Sequence, residues 1–224
     1  MALSIIVPML NEAAALPGLL AQLARWRTRG CEVVVVDGGS ADGCAAMARA
    51  AGFTVVDAER GRARQMNAGA ALARGEVLLF LHADTQLPAD ADVAVRAALA
   101  DGRRDWGRFD VRIAGRSPML RVVAGLMNLR SRLTGIATGD QAMFVRREAF
   151  DAVGGFPLQP LMEDIELSRR LLRRSRPACL RARVTTSGRR WEQRGVWRTI
   201  VLMWRLRWAY WRGVPAEVLA EAYR

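Results

Sequence analysis

A chain of 224 residues, about 51% of them hydrophobic, is long enough to bury a sheet-and-helix core as one domain without disulfide or metal staples. The composition excludes a disordered polymer. The three cysteines, Cys31, Cys44 and Cys179, lack CxxC or Cys/His spacing, which excludes a disulfide framework or structural zinc site and points to a reducing cytosol.

The net charge of +12 is carried by arginine alone, because the sequence has no lysine. Residues 1–164 hold 19 Arg against 18 acids, whereas residues 165–224 hold 15 Arg against 4, so the surplus is a local patch. No recognised nucleic-acid-binding motif accompanies that patch, and a nucleic-acid partner is not expected. A strand-like run begins at Leu3 and leaves no room for a signal peptide, and no run of 18 apolar residues predicts a membrane span.

In chain order, LSIIVPML predicts a strand followed by a helix through Arg27. EVVVVDGG predicts a second strand stopped by glycines, with a helix from Ala41 to Ala51. FTVVDA is a third strand, RQMNAGAALA a helix, and EVLLFLHAD a fourth strand. Short β-branched runs separated by helices indicate a parallel sheet buried on both faces. Residues 3–84 therefore read β-α-β-α-β-α-β, an open doubly wound α/β sheet whose ligands bind at the C-terminal strand ends. Polar residues fall at those ends: Asn11 and Glu12, then Asp37, then His82 and Asp84.

PMLNE after the first strand offers no Gly-x-Gly-x-x-Gly turn, and a Walker A loop needs a lysine, so neither a dinucleotide fold nor a P-loop is expected. The glycines follow the second strand instead, in DGGSADG, where Asp37 is placed to accept from a nucleobase or ribose and Ser40 and Asp42 to start the next helix.

Taken together, SIIVPMLNE, VVVVDGGSADG and GRARQMNAGAALARGEVLLFLHADT resemble the family 2 glycosyltransferases, whose fold is called GT-A. GDQAMFVRREAFDAVGGF, MEDIELSRRL and GRRW resemble the acceptor half of that family, so the likeness runs to about residue 192. The resemblance implies a Rossmann-like, mostly parallel sheet flanked by helices. It divides the chain into 1–192 as the GT-A domain, with 1–90 as nucleotide-binding half and 91–192 as acceptor half, and 193–224 as a basic amphipathic helical segment. It also implies inverting transfer of a sugar from a nucleoside diphosphate-sugar to a hydroxyl, with a divalent metal, Mn2+ or Mg2+.

The same resemblance assigns roles residue by residue. The family's Asp-x-Asp is His82-Ala83-Asp84 here, which implies Asp84 as metal ligand and His82 as a ribose or outer partner. One carboxylate suffices for such a metal because substrate phosphates and waters complete the shell. Asp37 corresponds to the base-binding aspartate and suggests a uracil-like imide, hence a UDP-linked donor. Pro8, Asn11 and Glu12 lie in the nucleotide-proximal turn, where Leu10 replaces the common aromatic. Arg62 and Arg64 are both candidates for base or phosphate contact, and the sequence does not separate them.

Glu163 and Asp164 open a helix, where acids are also expected from the helix dipole. The family pattern assigns the catalytic base to the second of the pair, Asp164, with Glu163 and Glu166 in support. Asp140 and Gln141 are implied as sugar or acceptor contacts, Arg190 as a diphosphate contact and Trp191 as a floor for the acceptor. Ser187 replaces the glutamine of the family's Gln-x-x-Arg-Trp motif, so processive polymer-making members are a poor guide.

A helix from Gly195 to Arg212 carries Trp197, Trp204, Trp208 and Trp211 on one stripe and Leu202, Met203, Leu206 and Tyr210 on the other side. Arg198, Arg205 and Arg212 run between them and Arg207 takes the other flank, so two apolar faces need two burial partners. One is the domain; the other is a membrane interface or a second subunit through 195–212. The expected setting is the cytoplasm, with peripheral contact at the inner face of the cell membrane, and the expected acceptor is a lipid or small molecule. Two alternatives stand beside the transferase: a nucleotidyltransferase of similar topology, which PMLNE does not serve, and a catalytically silent membrane- or partner-binding module.

Overall fold

The computed structural model describes residues 1–223. In chain order the elements are β1 Leu3–Met9, α1 Leu16–Thr28, β2 Glu32–Asp37, α2 Cys44–Ala50, β3 Thr54–Asp57, α3 Arg62–Leu72 and β4 Val77–Phe80. There follow β5 Thr85–Gln86, α4 Ala91–Leu99, β6 Trp106–Ala114, α5 Met119–Thr134, a single 3-10 turn Gly139–Gln141, β7 Phe144–Arg146 and α6 Arg147–Ala152. The chain continues with α7 Glu163–Leu172, β8 Ala178–Ser187, α8 Arg189–Arg194, α9 Val196–Trp211 and α10 Ala216–Tyr223.

The eight strands form one sheet in the order β3-β2-β1-β4-β7-β6-β8-β5. The first four are parallel, as their Val- and Ile-rich runs require of strands covered on both faces. Alternation of side chains then sorts the core. Leu3, Ile5, Val7, Met9, Val33, Val35, Val77 and Leu79 face the layer of α1, α2, α4 and α5, while Ile6, Val34, Val36, Leu78 and Phe80 face α3, α6 and α7. Helix α3 approaches the sheet most closely at Gly69, where a Cβ would lie 2.5 Å from Ile6 Cγ2 and 2.8 Å from Val36 Cγ2.

The fourth strand is shorter than the sequence predicts. It ends at Phe80, and His82–Asp84 form a turn closed by the Thr85 N–H donating to the His82 carbonyl at 3.0 Å. The reason lies in the partner strand: β7 is only three residues long and pairs β4 antiparallel from Val77 to Leu79, and beyond that register only single bonds follow, from the Phe80 N–H to the Met143 carbonyl and from the Leu81 N–H to the Ile6 carbonyl, both at 2.9 Å. The second half of the sheet mixes directions, with β6 antiparallel to β7 and parallel to β8, and β5 antiparallel to β8.

A third apolar cluster joins Leu161, Met162 and Ile165 to Leu206 on α9 and Leu219 on α10. The C-terminal helices are thereby seated against the turn that starts α7. Helix α9 divides into the two faces that its pattern predicts: Leu202, Met203, Leu206 and Tyr210 pack inward, and Trp197, Trp204, Trp208 and Trp211 are 62–79% exposed.

Candidate active site

The loops after β1 and β2 are stitched together by their own polar side chains. The Asn11 N–H donates to Ser40 Oγ at 2.9 Å, the Ala41 N–H donates to Asn11 Oδ1 at 2.9 Å, and the Ala13 N–H donates to Asp42 Oδ2 at 2.7 Å. Helix α2 is entered through Gly43 in the left-handed region at φ 78°, and Asp42 serves both sides of that turn, its Oδ1 accepting from the Cys44 N–H at the first residue of α2 at 3.1 Å. Asp37 is buried at the end of β2, with Oδ2 accepting from the Gly39 and Ser40 N–H groups at 3.1 and 3.0 Å and Oδ1 from the Ser40 hydroxyl at 2.5 Å. Pro8 lies within β1, buried and paired with Val36.

One residue here escaped the sequence reading. Gln65, buried on α3, donates from Nε2 to both the Met9 and Val36 carbonyls, at 2.8 and 2.9 Å, and so ties the ends of β1 and β2 to one helix. Its only sequence signal is a polar side chain on the face that also carries Ala63, Met66 and Ala70.

Across the strand ends, β4, α3, the 139–141 turn and α7 bring together His82, Asp140, Glu163, Asp164 and Arg62. His82 Nδ1 is 3.5 Å from Asp140 Oδ1. The ring lies against Gly139, where a Cβ would come within 2.4 Å of it. Burial acts to raise the Asp140 carboxyl, but the His82 hydrogen bond and charge, with Arg62 and Arg190 beyond, outweigh it and hold it below the usual range.

Asp164 accepts from the Gly139 N–H at 2.8 Å and from the Ile165 N–H at 2.7 Å, and burial nonetheless raises its carboxyl above the ordinary value. Glu163 is 5% exposed, and burial first, then the charge of Asp164, push it up to about 7. Beneath the pair is a cavity of about 10 Å³, the size of one water, lined by Met66, Phe80, His82, Gly139, Met143, Phe156, Glu163 and Asp164. Among the described residues, three other than glycine adopt positive φ, and each adjoins a candidate of this region: Asn11 before Glu12, Ala142 after Gln141, and Met162 before Glu163. Clustering of a costly conformation at one end of the sheet is the pattern of a functional site.

The remaining candidates separate. Arg62 acts electrostatically on Glu163, Asp140 and Arg190, whereas Arg64 turns away to pair with Glu59 at 2.9 Å. Arg190 lies near Asp140 and Asp84; burial and the charges of Arg62 and Arg194 weaken its hold on its proton. It hydrogen-bonds the Tyr223 hydroxyl and stands 4.6 Å from the centroid of that ring. Burial raises the Glu12 carboxyl, opposed by Arg189 and reinforced by Asp84 and Asp42.

Three of the candidates have other neighbours. Gln141 is 0% exposed and holds the turn together, donating to Asn128 Oδ1 and Ser131 Oγ at 3.3 and 3.1 Å and accepting from the Thr138 N–H at 3.2 Å. Its side chain does not line the cleft. Trp191 lines a separate open groove with Arg116, Ser117, Glu192, Gly195 and Val196. Glu166, proposed as support for the base, is engaged by Arg169 and Arg170 on its own helix.

Asp84 is exposed at the mouth of the cleft, with Oδ1 accepting from the Thr85 hydroxyl at 3.3 Å. No group of three or more His, Cys, Asp or Glu that could hold a metal by themselves occurs among the described residues. An exposed hard-oxygen carboxylate with arginines nearby fits a divalent ion whose other ligands come from a bound diphosphate and water, and does not fit a metal held by protein alone.

Comparison with known proteins agrees with this fold. The family model for Glycosyl transferase family 2 matches residues 4–154. A PGL/p-HBAD biosynthesis glycosyltransferase of Mycobacterium bovis is 36% identical over 166 residues, covering 70% of this chain and 63% of the relative. The chain thus spans a little under two thirds of that relative. Among solved structures, S. aureus TarS superposes with a TM-score of 0.66 at 22% identity over 84% of this chain and 37% of that one, and a complex of its residues 1–349 contains UDP-GlcNAc. The mannosyltransferase PcManGT from Pyrobaculum calidifontis, solved with GDP-Man and Mn2+, gives 0.65 at 23% identity over 92% of this chain and 60% of that one.

Proposed function

The chain belongs to glycosyl transferase family 2, and from that premise we propose that it transfers a sugar with inversion from a nucleoside diphosphate-sugar, UDP-linked, to a hydroxyl acceptor. The observation that carries this reading is the meeting of Asp164, Glu163, His82, Asp140 and Arg62 at the C-terminal end of the parallel sheet. Complexes of the structural neighbours with UDP-GlcNAc and GDP-Man support the donor class.

Asp164 is the base. Its two bonds from backbone N–H groups fix its direction, and its raised affinity for a proton suits it to take one from the acceptor hydroxyl. The hydroxyl oxygen forms a bond to the anomeric carbon as the bond from that carbon to the diphosphate breaks; the proton passes to Asp164 and the electron pair leaves with the diphosphate. Arg62 and Arg190 lie where they can stabilise the leaving charge. Asp84 would hold a divalent ion, manganese or magnesium, which when bound neutralises diphosphate charge. Burial and the charge of Asp164 raise the Glu163 carboxyl to about 7, so near neutral pH a share of it is protonated and sets no charge against Asp164.

Asp37 and the Asn11–Glu12 turn frame the nucleotide, with the Asp37 carboxylate already drawn tight by Gly39 and Ser40. His82 orients Asp140 toward the donor sugar. The exposed tryptophans of α9, among Arg198, Arg205 and Arg212, support a peripheral contact with a membrane at its cytoplasmic face, and hence a lipid acceptor alongside small-molecule ones. Release of UDP from UDP-sugars with manganese, screened across sugars and then across acceptors, tests the proposal; absence of donor binding for every nucleotide tried would contradict it.

A further inference from the structure

Three arginines lie together in the acceptor half: Arg108 on β6 and Arg130 and Arg132 on α5. Their one bonded carboxylate is Asp110, whose oxygens are both taken, Oδ1 by Arg108 and Oδ2 by Arg132 at 2.6 Å. Arg130 is left over. Its Nε and Nη2 are shut off from solvent and have no hydrogen-bond partner. Among the described residues no carboxylate comes within 4.0 Å of its guanidinium. The charges that act on it are Asp164, which favours its ionised form, and Arg108, which opposes it. Asp164 is therefore near enough to be felt but is bonded instead to the Gly139 and Ile165 N–H groups.

A buried charged donor without a partner is costly, and such groups persist where a water, ion or ligand completes them. Nε and Nη2 form the side edge of a guanidinium, the edge whose two parallel N–H groups match a carboxylate or phosphate. This pole is distinct from the one that faces the donor. Arg62 and Arg190 act on each other and on Asp140, and do not figure among the charges that act on Arg130. Arg130 as a residue is partly exposed, although Nε and Nη2 themselves are closed to solvent.

We infer that the Nε–Nη2 edge of Arg130 binds an anionic group, phosphate or carboxylate, carried by the acceptor beside the hydroxyl that Asp164 deprotonates. This rests on the reading of Asp164 as the base. It narrows the acceptor to molecules with an anion near the reacting hydroxyl, whether soluble phosphate esters or the headgroup of a lipid.

The test is calorimetric titration of the full chain, with UDP and manganese present to fill the donor pole, using inorganic phosphate, glycerol 1-phosphate and neutral glycerol. Saturable binding of both phosphates and none of glycerol is expected. Arg130→Met should weaken phosphate binding at least tenfold, while Arg103→Met, at an exposed residue paired only with Asp101, should leave it within threefold. If Arg130→Met does not fold by circular dichroism, Arg130→Lys carries the test, because an ammonium keeps the charge but not the paired edge and should cost at least threefold. Binding confined to phosphatidylcholine vesicles containing phosphatidic acid, lost in Arg130→Met, would assign the anion to a lipid. Equal affinity in wild type and Arg130→Met overturns the inference.

The two readings fail separately. Phosphate bound through Arg130 by a protein that transfers no sugar would sink the proposed function alone. Transfer to neutral acceptors as efficient as to anionic ones would sink this inference alone.

Discussion

Replacing Glu163 by Gln should make the protein more stable at neutral and alkaline pH while leaving it nearly unchanged in acid. Glu163 is 5% exposed and its carboxyl is pushed from 4.5 to about 7 by burial and by Asp164. A carboxyl raised on folding binds its proton more tightly in the native state than in the unfolded chain. Stability is therefore lost as pH climbs from the unfolded value to the folded one, and the loss is complete above about 7. At about 1.4 kcal/mol per unit, the displacement corresponds to roughly 3 kcal/mol. Glutamine has the same shape and no charge to bury, so the variant should exceed wild type by up to about 3 kcal/mol at pH 8.5 and by almost nothing at pH 4.5. In a chain of this size that is a difference of roughly 6–12 °C in Tm. Thermal unfolding at four pH values between 4.5 and 8.5 measures it. A Tm difference independent of pH would refute the reasoning, since a packing effect does not titrate.

Further expectations follow from the same geometry. Asp84→Ala should abolish the manganese-dependent part of UDP binding, and a chelator should do the same to wild type; a thermal shift with UDP that ignores both would remove Asp84 from the metal site. Gly69→Ala should cost about 1–3 kcal/mol in urea unfolding, because the new Cβ meets Ile6 and Val36 at 2.5 and 2.8 Å where α3 lies on the sheet. Trp204→Ser with Trp208→Ser should leave unfolding within about 0.5 kcal/mol of wild type, as exposed positions do, yet cut sedimentation with anionic vesicles several-fold. If vesicles sediment the double variant as well as wild type and the apparent mass in solution is halved, the face binds a second copy instead.

The parallel half of the fold was legible because its signals are local. EVVVVDGG and SIIVPML can satisfy their backbone and bury both faces only inside a covered sheet, and the polar residues then fall at one end of it. The faces of α9 were legible for the same reason, since helical period alone separates Leu206 from Trp204. The second half of the sheet was not legible: the pairing of three-residue β7 with β4, which ends that strand at Phe80, is set by contacts 60 and more residues apart. Side-chain direction was equally hidden. Arg62 and Arg64 are two positions apart on one helix, so they point to different sides, but only the position of α7 decides which side holds Glu163. Gln141 reads as an exposed polar residue beside Asp140 and is instead spent on Asn128 and Ser131. Arg130 gave no sign at all, because an arginine on an amphipathic helix is ordinarily solvated.

The central claim is that Asp164 removes the acceptor proton in a cleft that binds a nucleoside diphosphate-sugar. The direct measurement is sugar transfer and UDP affinity, both with manganese, for wild type and Asp164→Asn. Transfer should fall by about 10²–10⁴ with UDP affinity within threefold of wild type, because asparagine keeps the shape at the start of α7 and cannot take the proton. Transfer by Asp164→Asn at the wild-type rate would contradict the account.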